Sequence, residues 1–317
     1  MYEWNRNIQK LVDSIEESLR EGEGDEITLE KMAAKISYSP FHMTRHFKEI
    51  TGMLFRDYLR YRRLAYSVIE LRDSSLRILD IAIKYGFTSQ EAYARAFKKA
   101  YQVTPKAYRR NPKPLLLRNK VNTFDPYYLG IGVNDMDKTK LQEIKIWIET
   151  IPAHKVLYIK NYESKGYWDF WEKQEKIPGC DCNTICGLLD SIKGKLDGDD
   201  NELGIFSGQL MLYPVEADGR IPEGYGVRVA SDYDGEILPQ LICTEVPEGE
   251  YIIFAHPTFE YPTMSEMVSK KVEETAATYS LGNTEYQYDE TAGRIGYLYH
   301  SPEVWGYRII KPVKKRS

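Results

Sequence analysis

The sequence predicts a two-domain protein: an all-α domain with two helix-turn-helix units, followed by an α+β domain of two strand-helix-strand-strand repeats. Its 317 residues are enough for two ordinary domains. Hydrophobic periodicity changes from helical to alternating after about residue 110, and each side of that change contains an internal repeat. We therefore place the helical domain at residues 1–110, a linker at 111–122 and the α+β domain at 123–317.

Charge is divided between the two predicted domains. Residues 27–110 carry 17 Lys and Arg against 7 Asp and Glu, whereas residues 121–317 carry 20 against 32. A basic block beside an acidic one indicates two domains with different partners, and phosphate is the natural partner of the first. A merely solvated basic surface is the alternative, and charge alone does not decide between the two.

Composition also indicates where the protein works. The longest apolar runs, such as Tyr251 to Ala255, are too short to cross a bilayer, and the first thirty residues are charged rather than signal-like. The four cysteines are too few and too clustered for a disulfide framework, which fits a reducing compartment. We expect a cytoplasmic protein without membrane contact.

Capping residues mark the helices of the first domain. Apolar residues recur at helical spacing from Ile8 through Leu19, which predicts an opening amphipathic helix. Thr28 is a suitable N-cap for the next helix. After a short turn, Ser39 caps another helix, with Pro40 at the first helical position. A short helix, a tight turn and a second helix form a helix-turn-helix unit.

The unit occurs twice. The stretch "LRILDIAIKYGFTSQEAYARAFKKAY" repeats the first unit at an offset of 49 residues before the turn and 50 after it. In the second helix of each unit, apolar residues spaced i, i+4, i+7 predict a buried stripe. These residues are Met43, Phe47 and Ile50 in the first copy, and Tyr93, Phe97 and Ala100 in the second. The opposite stripe carries an arginine at the matching position, Arg45 and then Arg95.

Two helices with outward arginines predict an interface with double-stranded DNA. An arginine on such a helix can donate to guanine O6 and N7 in the major groove. The continuous helical pattern "RDYLRYRRLAYSVIELRD" between the copies would hold them at a fixed separation. The two helices would then enter successive segments of the major groove, ~34 Å apart. One chain would read two adjacent half-sites as a monomer.

Other polar residues of these helices have more limited predicted roles. Phosphate contacts are predicted for the basic residues Lys48, Lys98, Lys99, Arg109 and Arg110. Glu91 follows Thr88 by three residues, so a capping box at its own helix start is the alternative to base reading. His42 and His46 are four residues apart, but no third ligand is near them, so we predict no metal site.

Residues Ile27 to Arg110 resemble the DNA-binding domain of AraC/XylS transcription regulators over its whole length. The resemblance lies in "YSPFHMTRHFKEITG", "YLRYRRL" and "ILDIAIKYGFTSQEAYARAFKKAYQVTPKAYRR". It implies that a linker helix carries both units and that both second helices read bases. The implied base-reading residues are Phe41, Thr44 and Arg45, and Gln90, Glu91 and Arg95. Phe41 and Thr44 stand where better-known members carry tryptophan and glutamine, so the target sequence does not transfer from them.

Alternating residues predict strands in the second domain. "LQEIKIWIETIPAHKVLYIKNY" reads as two strands broken at Pro152, "GYWDFWEKQEK" as a helix, and "GIFSGQLMLYP" and "GYGVRVASDY" as a strand pair. A second copy begins at "TEVPEGEYIIFAHPTFE", with Pro247 offset by 95 from Pro152, and ends in the strands "RIGYLYHSP" and "WGYRIIKPVKK". Two such repeats would form one antiparallel sheet with two helices, and a cleft on the pseudo-twofold axis is the natural small-molecule site.

Aromatic residues are concentrated in this domain, with 16 of the 25 tyrosines and four of the five tryptophans. The segment from about Glu143 to Lys315 resembles the GyrI-like effector-binding domain through "TIPAHKV", "VPEGEY" and "YRIIKPVKK". The resemblance implies a small amphipathic or aromatic effector. The candidate effector contacts are Trp168, Trp171, Phe259, Tyr297, Tyr299, Glu303 and Trp305. The acidic residue that many members carry on the penultimate strand is missing from "GYLYHSPE", which leaves Glu303 or Glu260 as its substitute.

These observations favour a transcription regulator in which an effector biases promoter engagement or contact with RNA polymerase. A hydrolase is one alternative for the second domain, because some GyrI-like relatives hydrolyse reactive small molecules with a Tyr and Glu pair. A protein-docking module is the other. "CDCNTIC" reads as a partly buried loop and "KLDGDDNE" as a solvated acidic turn. We expect no cofactor.

Overall fold

The computed structural model describes residues 2–123, 141–161, 164, 167–197, 203, 208–216, 221–261, 263–282 and 284–316. The chain forms two compact units. The first, the helical unit, comprises Met1–Gly132, Cys186–Ile192 and Asp200–Gly204. The second, the sheet unit, comprises Val133–Ile185, Lys193–Asp199 and Ile205–Ser317.

The helical unit contains the two predicted helix-turn-helix units. Its helices are α1 (Tyr2–Arg20), α2 (Leu29–Lys35), α3 (Pro40–Thr51), α4 (Phe55–Asp73), α5 (Ile78–Lys84), α6 (Gln90–Tyr101) and α7 (Pro105–Arg110). The pairs α2–α3 and α5–α6 are the two helix-turn-helix units, and α4 is the continuous helix between them. The prediction of a helical first domain is confirmed.

Side-chain caps begin these helices largely as predicted. The hydroxyls of Thr28 and Ser39 accept hydrogen bonds from the backbone amide three residues later, at 3.2 Å and 3.4 Å. The N-cap of α6 is Ser89 and not Thr88. The Ser89 hydroxyl accepts a hydrogen bond from the backbone amide of Ala92 at 3.1 Å. The predicted capping box of Thr88 and Glu91 is therefore wrong, because the helix begins one residue later than that pairing requires.

An ion pair between α1 and α4 lies inside the largely apolar core of the helical unit. Arg62 is 1% exposed and Glu16 is 4% exposed. Arg62 donates to Glu16 through Nε at 2.7 Å and through Nη2 at 2.5 Å, and the hydroxyls of Tyr58 and Tyr66 donate to the same carboxylate. Burial raises the pKa of Glu16, but the charge and hydrogen bonds of Arg62 outweigh it, so the pKa lies below its ordinary value.

The predicted linker, 111–122, forms neither helix nor strand and packs on the helical unit. Leu117 is 2% exposed within the apolar core of this unit. Lys120 forms an ion pair with Asp13 of α1 at 2.6 Å, and just beyond the segment the amide of Thr123 donates to Gln9 at 2.6 Å. These contacts run along α1, so this stretch of chain is part of the helical unit.

The sheet unit is built on antiparallel strands. They are β1 (Lys145–Ile151), β2 (His154–Asn161), β3 (Gly208–Leu212), β4 (Glu223–Ala230), β5 (Ile242–Val246), β6 (Gly249–His256), β7 (Tyr286–Tyr288), β8 (Ile295–Ser301) and β9 (Gly306–Lys315). Their order is β1-β6-β9-β8-β3-β4-β2-β5, and β7 pairs with β9. The break at Pro152 and the predicted β3–β4 and β8–β9 pairs are confirmed.

The chain forms three further helices: α8 (Tyr167–Gln174), α9 (Cys182–Ser191) and α10 (Ser265–Thr278). Most of α9 belongs to the helical unit. The helices predicted in "GYWDFWEKQEK" and after β6 are confirmed as α8 and α10. The loop predicted for "CDCNTIC" is wrong, because α9 begins at Cys182. Asp181 accepts from the backbone amide of Thr184 at 3.0 Å and thus caps that helix.

The two faces of the sheet differ in what covers them. One face, called here the tyrosine face, forms an apolar cluster centred on Tyr158, Tyr251, Tyr297 and Tyr299. The other face packs on α10, whose buried residues Val268, Val272 and Ala276 contact Ile252, Phe254 and Ile309. Because successive residues of a strand point to opposite faces, the strand register assigns each side chain to one of them.

Candidate nucleic-acid interface and effector site

The helices α3 and α6 show the same exposure pattern at an offset of 50 residues. Met43 and Phe47 are fully buried, and so are Tyr93 and Phe97. Both helices also end in the same way, with a left-handed residue that has φ 71° at Gly52 and φ 58° at Gln102. The predicted buried stripes are therefore confirmed at these four residues, whereas the third residue of each, Ile50 and Ala100, is half-buried against the core. The opposite stripe of each helix faces solvent.

Most of the predicted base-reading side chains lie on the solvent-facing stripes. Phe41 is 71% exposed. Arg45, Gln90, Glu91 and Arg95 are exposed as well. Thr44 differs from them. It is half-buried, and its hydroxyl donates to the carbonyl of Pro40 at 2.9 Å.

Arg45 is exposed but oriented by its own helix. Its Nε donates to Glu49 Oε1 at 2.8 Å, while the side chain stays 61% exposed. His46 Nδ1 lies 2.9 Å from the other oxygen of Glu49, and the His46 ring stacks on Trp4 of α1 at 3.8 Å between centroids. The Trp4 contact fixes α3 on α1, so Arg45 extends from an anchored helix.

Glu91 and Arg95 form the corresponding surface of α6. The pKa of Glu91 is lowered by its own backbone amide, by the hydroxyl of Ser89 and, to a smaller extent, by the charge of Arg95. The carboxylate thus engages its own helix start, although the cap is Ser89. Arg95 keeps its guanidinium at the surface.

The predicted phosphate contacts fall into two groups. Lys48, Lys98, Lys99 and Arg110 are exposed at the ends of α3, α6 and α7. Arg109 is half-buried, and its Nε donates to the carbonyl of Leu71 in α4 at 3.2 Å. Arg109 is therefore turned into the helical unit, away from the exposed basic residues.

The sheet unit brings together three of the predicted effector residues. Tyr297 and Tyr299 lie on the tyrosine face with ring centroids 6.2 Å apart and nearly parallel, and Trp305 meets Tyr299 edge-on at 5.5 Å. Trp171 instead packs edge-on against Tyr225, whose strand position points to the opposite face. Phe259 belongs to the α10 cluster.

The remaining predicted effector residues lie elsewhere. Glu303 is exposed in the turn between β8 and β9, and Glu260 is exposed in the segment after β6. Trp168 belongs to α8, and its side chain lies outside the described part of the structure. Neither glutamate adds a charge to the buried centre of the tyrosine face.

The acidic residue at the centre of that face is Asp197, which the sequence analysis missed. Asp197 is 2% exposed. Its Oδ2 accepts from Arg228 Nε at 2.8 Å and from the Tyr299 hydroxyl at 2.7 Å, and Arg228 Nη2 donates to Oδ1. The solvated turn predicted for this residue is wrong. The available signal was Arg228 in "GYGVRVA", a charge inside an apolar strand that requires a buried partner.

His154 and Tyr297 form the second polar contact of this face. His154 Nδ1 lies 2.7 Å from the carbonyl of Pro152, and Nε2 lies 2.6 Å from the Tyr297 hydroxyl. Because a carbonyl only accepts, Nδ1 carries the proton and Nε2 accepts from Tyr297. A pocket of about 350 Å³ opens beside His154, and it is lined by Ala153, His154, Lys155, Ser231, Glu245, Val246 and Pro247.

The neutral state of His154 predicts an acid-dependent loss of stability. Burial lowers the pKa of His154, so the unfolded chain binds a proton more readily than the folded one. The stability that neutral His154 contributes is complete at a pH above the ordinary histidine pKa of about 6.5, and it declines as pH falls below that value. We expect the full chain to melt at a lower temperature at about pH 5.5 than at about pH 7.5, with a smaller difference in His154→Gln. An unchanged pH dependence in that variant would contradict this assignment.

Two further observations concern metal sites and membrane-spanning helices. Within the residues described, no three or more His, Cys, Asp or Glu side chains come close enough to hold a metal ion. In the same residues, no helix combines the length and the apolar composition that a membrane span requires.

Comparison with known proteins identifies the family. A model of the helix-turn-helix domain matches residues 32–111. Right origin-binding protein of Escherichia coli (strain K12) is 46% identical over 245 residues, which cover 73% of this chain and 72% of that protein. Transcriptional regulator Rob of Salmonella typhimurium is 46% identical over 85 residues, which cover 27% and 29%.

A third relative extends the comparison to a shorter protein. Probable transcription factor PqrA of Proteus vulgaris is 36% identical over 104 residues, which cover 33% of this chain and 84% of that protein. The similarity to right origin-binding protein extends over most of both chains, and the matched helix-turn-helix residues contain α3 and α6. The chain belongs to the AraC/XylS family of DNA-binding transcription regulators.

Proposed function

We propose that this regulator reads two adjacent half-sites of double-stranded DNA with α3 and α6, and responds to a small-molecule effector bound on the tyrosine face. The observation that carries the first part is the repeated exposure pattern, with Arg45 and Arg95 exposed at matching positions. Base reading then involves Phe41, Thr44, Gln90 and Glu91 beside the two arginines, and the exposed Lys48, Lys98, Lys99 and Arg110 contact phosphates.

The helix α4 supports reading by one chain. It is a continuous helix of 19 residues, which corresponds to about 28 Å at the rise of an α-helix. Its buried face includes Arg62 and Leu64, so the helix is held by the core rather than extended into solvent. A rigid connection of this length suits two recognition helices that enter neighbouring segments of one groove.

The strand order supports an effector site between two similar halves. Apart from β7, the sheet consists of two sets of four strands, β1-β6-β9-β8 from one edge and β5-β2-β4-β3 from the other. They meet at the central β3–β8 pair. Pro152 and Pro247 lie in equivalent turns, before β2 and β6. Two strand-helix-strand-strand halves related in this way would share the tyrosine face, where the partly exposed Trp305 beside the buried tyrosines provides flat apolar surface for a ligand.

Substitution of the two arginines tests the DNA part of the proposal. A site is first selected from random duplex DNA with the wild-type chain, and affinities are measured by gel shift at one salt concentration. Arg45→Ala and Arg95→Ala are each expected to weaken binding by about tenfold to a hundredfold and to relax base preference in one half-site only. Lys270→Ala, an exposed change on α10, is the control. If both variants bind the selected site as the wild type does, the proposal is refuted. If only one of them does, base reading by both helices is refuted.

Catalysis by the sheet unit is not part of the proposal, because its Tyr–Glu pairs are poorly suited to it. The hydroxyl of Tyr286 donates to Glu250 at 3.0 Å, and that of Tyr307 donates to Glu273 at 2.6 Å. The hydrogen bond to Glu250 raises the pKa of Tyr286, and burial followed by the bond to Glu273 raises that of Tyr307. A raised pKa disfavours the phenolate form that a nucleophile needs.

A further inference from the structure

The tyrosine face carries two arginines in opposite surroundings. Arg228 of β4 is bound through two nitrogens to the buried Asp197. Arg308 of β9 lies between Tyr299 of β8 and Ala255 of β6 in the strand register. The Nε of Arg308 is buried without a hydrogen-bond partner, and no carboxylate of the described residues forms an ion pair with this side chain. One hydrogen-bond donor of this guanidinium therefore lacks an acceptor.

The surroundings of Arg308 resemble a binding surface more than a packed core. Its guanidinium lies 5.2 Å from the centre of the Trp305 ring, and Trp305 contacts Tyr299. Both Arg308 and Trp305 are partly exposed. Burial lowers the pKa of Arg308, and the charge of Glu149 acts in the opposite direction without contact. Glu149 itself accepts from the indole N–H of Trp147 at 2.9 Å.

Two carboxylates of the described residues belong to the same face, the exposed Glu149 of β1, which accepts from the Trp147 indole, and the buried Asp197. Both oxygens of Asp197 accept hydrogen bonds from Arg228, and one of them also accepts from Tyr299. A cationic ligand that pairs with Asp197 would have to break a buried ion pair. An anionic ligand would instead supply the missing acceptor of Arg308, because a guanidinium can donate two parallel hydrogen bonds to one acid group.

We propose that Arg308 anchors the effector and that the effector is an organic anion, a carboxylate or sulfonate on a flat or amphipathic apolar body. The acid group pairs with the guanidinium, and the apolar body lies against Trp305 and the neighbouring aromatic residues of the tyrosine face. This inference rests on the proposed effector role of the sheet unit. It further specifies the charge of the ligand and the residue that binds the charged group.

Three probes with the same naphthalene ring and a polar group of different charge test the inference on the full chain: naphthalene carboxylate, naphthalene carboxamide and naphthylmethylammonium. By isothermal titration calorimetry the carboxylate is expected to bind about tenfold more tightly than the amide, as one charged hydrogen-bonded contact would provide. Arg308→Gln removes that preference and leaves the affinity for the amide unchanged, whereas Arg308→Lys keeps part of it. Lys270→Gln on α10 is the control for a lost positive charge, and a wild-type unfolding transition by tryptophan fluorescence shows that the sheet unit of each variant is folded.

The outcomes separate this inference from the effector role on which it rests. If all three probes bind alike, or if Arg308→Gln binds the carboxylate as the wild type does, the anionic preference is refuted and the effector role stands. If the ammonium probe binds most tightly, the inference is refuted in favour of a cationic effector. If none of the probes binds to the wild-type chain, the effector role fails, and the inference fails with it.

Discussion

Replacing Glu16 with alanine is expected to lower the free energy of unfolding of the helical unit by about 3–5 kcal/mol. The substitution leaves Arg62, which is 1% exposed, without its carboxylate, and it removes the acceptor of the Tyr58 and Tyr66 hydroxyls. An unpaired charge and two unpaired hydroxyls in an apolar core together cost more than the lost contact alone. Urea unfolding followed by helical circular dichroism measures the change.

Two variants distinguish this effect from the general loss of a carboxylate. Glu26→Ala removes an exposed acid, 61% exposed in its pair with Lys31, and should change stability little because exposed pairs contribute little. The double variant Glu16→Gln, Arg62→Met removes the charge together with its partner and should recover part of the loss. Equal stability of Glu16→Ala and Glu26→Ala would contradict the buried role of Glu16.

Local signals explain why the helical unit could be predicted almost completely from the sequence. Caps such as Ser39 and stripes such as Met43 and Phe47 depend on residues three or four positions apart, so the chain itself records them. The Glu16–Arg62 pair could not be read in this way. Its partners are 46 residues apart, and only the packing of α1 on α4 brings them together.

The candidate effector site was less predictable because it depends on which face of the sheet each side chain occupies. Tyr297 and Tyr299 are two positions apart in a strand, which places them on the same face from sequence alone. Trp171 and Phe259 lie in a helix and a loop, and their side of the sheet is set by where α8 and α10 pack. The Asp197–Arg228 pair is a long-range contact of the same kind as Glu16–Arg62.

Asp197→Ala is expected to have an effect of similar size in the sheet unit, a loss of about 3–5 kcal/mol in the free energy of unfolding. It leaves Arg228, 15% exposed, and the buried Tyr299 hydroxyl without their shared acceptor. Tryptophan fluorescence reports this transition well, because four of the five tryptophans belong to the sheet unit. Asp197→Asn keeps an acceptor but not the charge, so an intermediate loss is expected.

The control for Asp197→Ala is Asp232→Ala, which removes an exposed carboxylate after β4 in the same unit. DNA binding should persist in both variants, because α3 and α6 belong to the helical unit. A loss of stability in Asp197→Ala with normal binding of the selected DNA site would show that the ion pair maintains the tyrosine face and not the DNA interface. If Asp197→Ala is as stable as Asp232→Ala, Arg228 does not depend on this carboxylate, and the argument that Asp197 is unavailable to a cationic effector loses its basis.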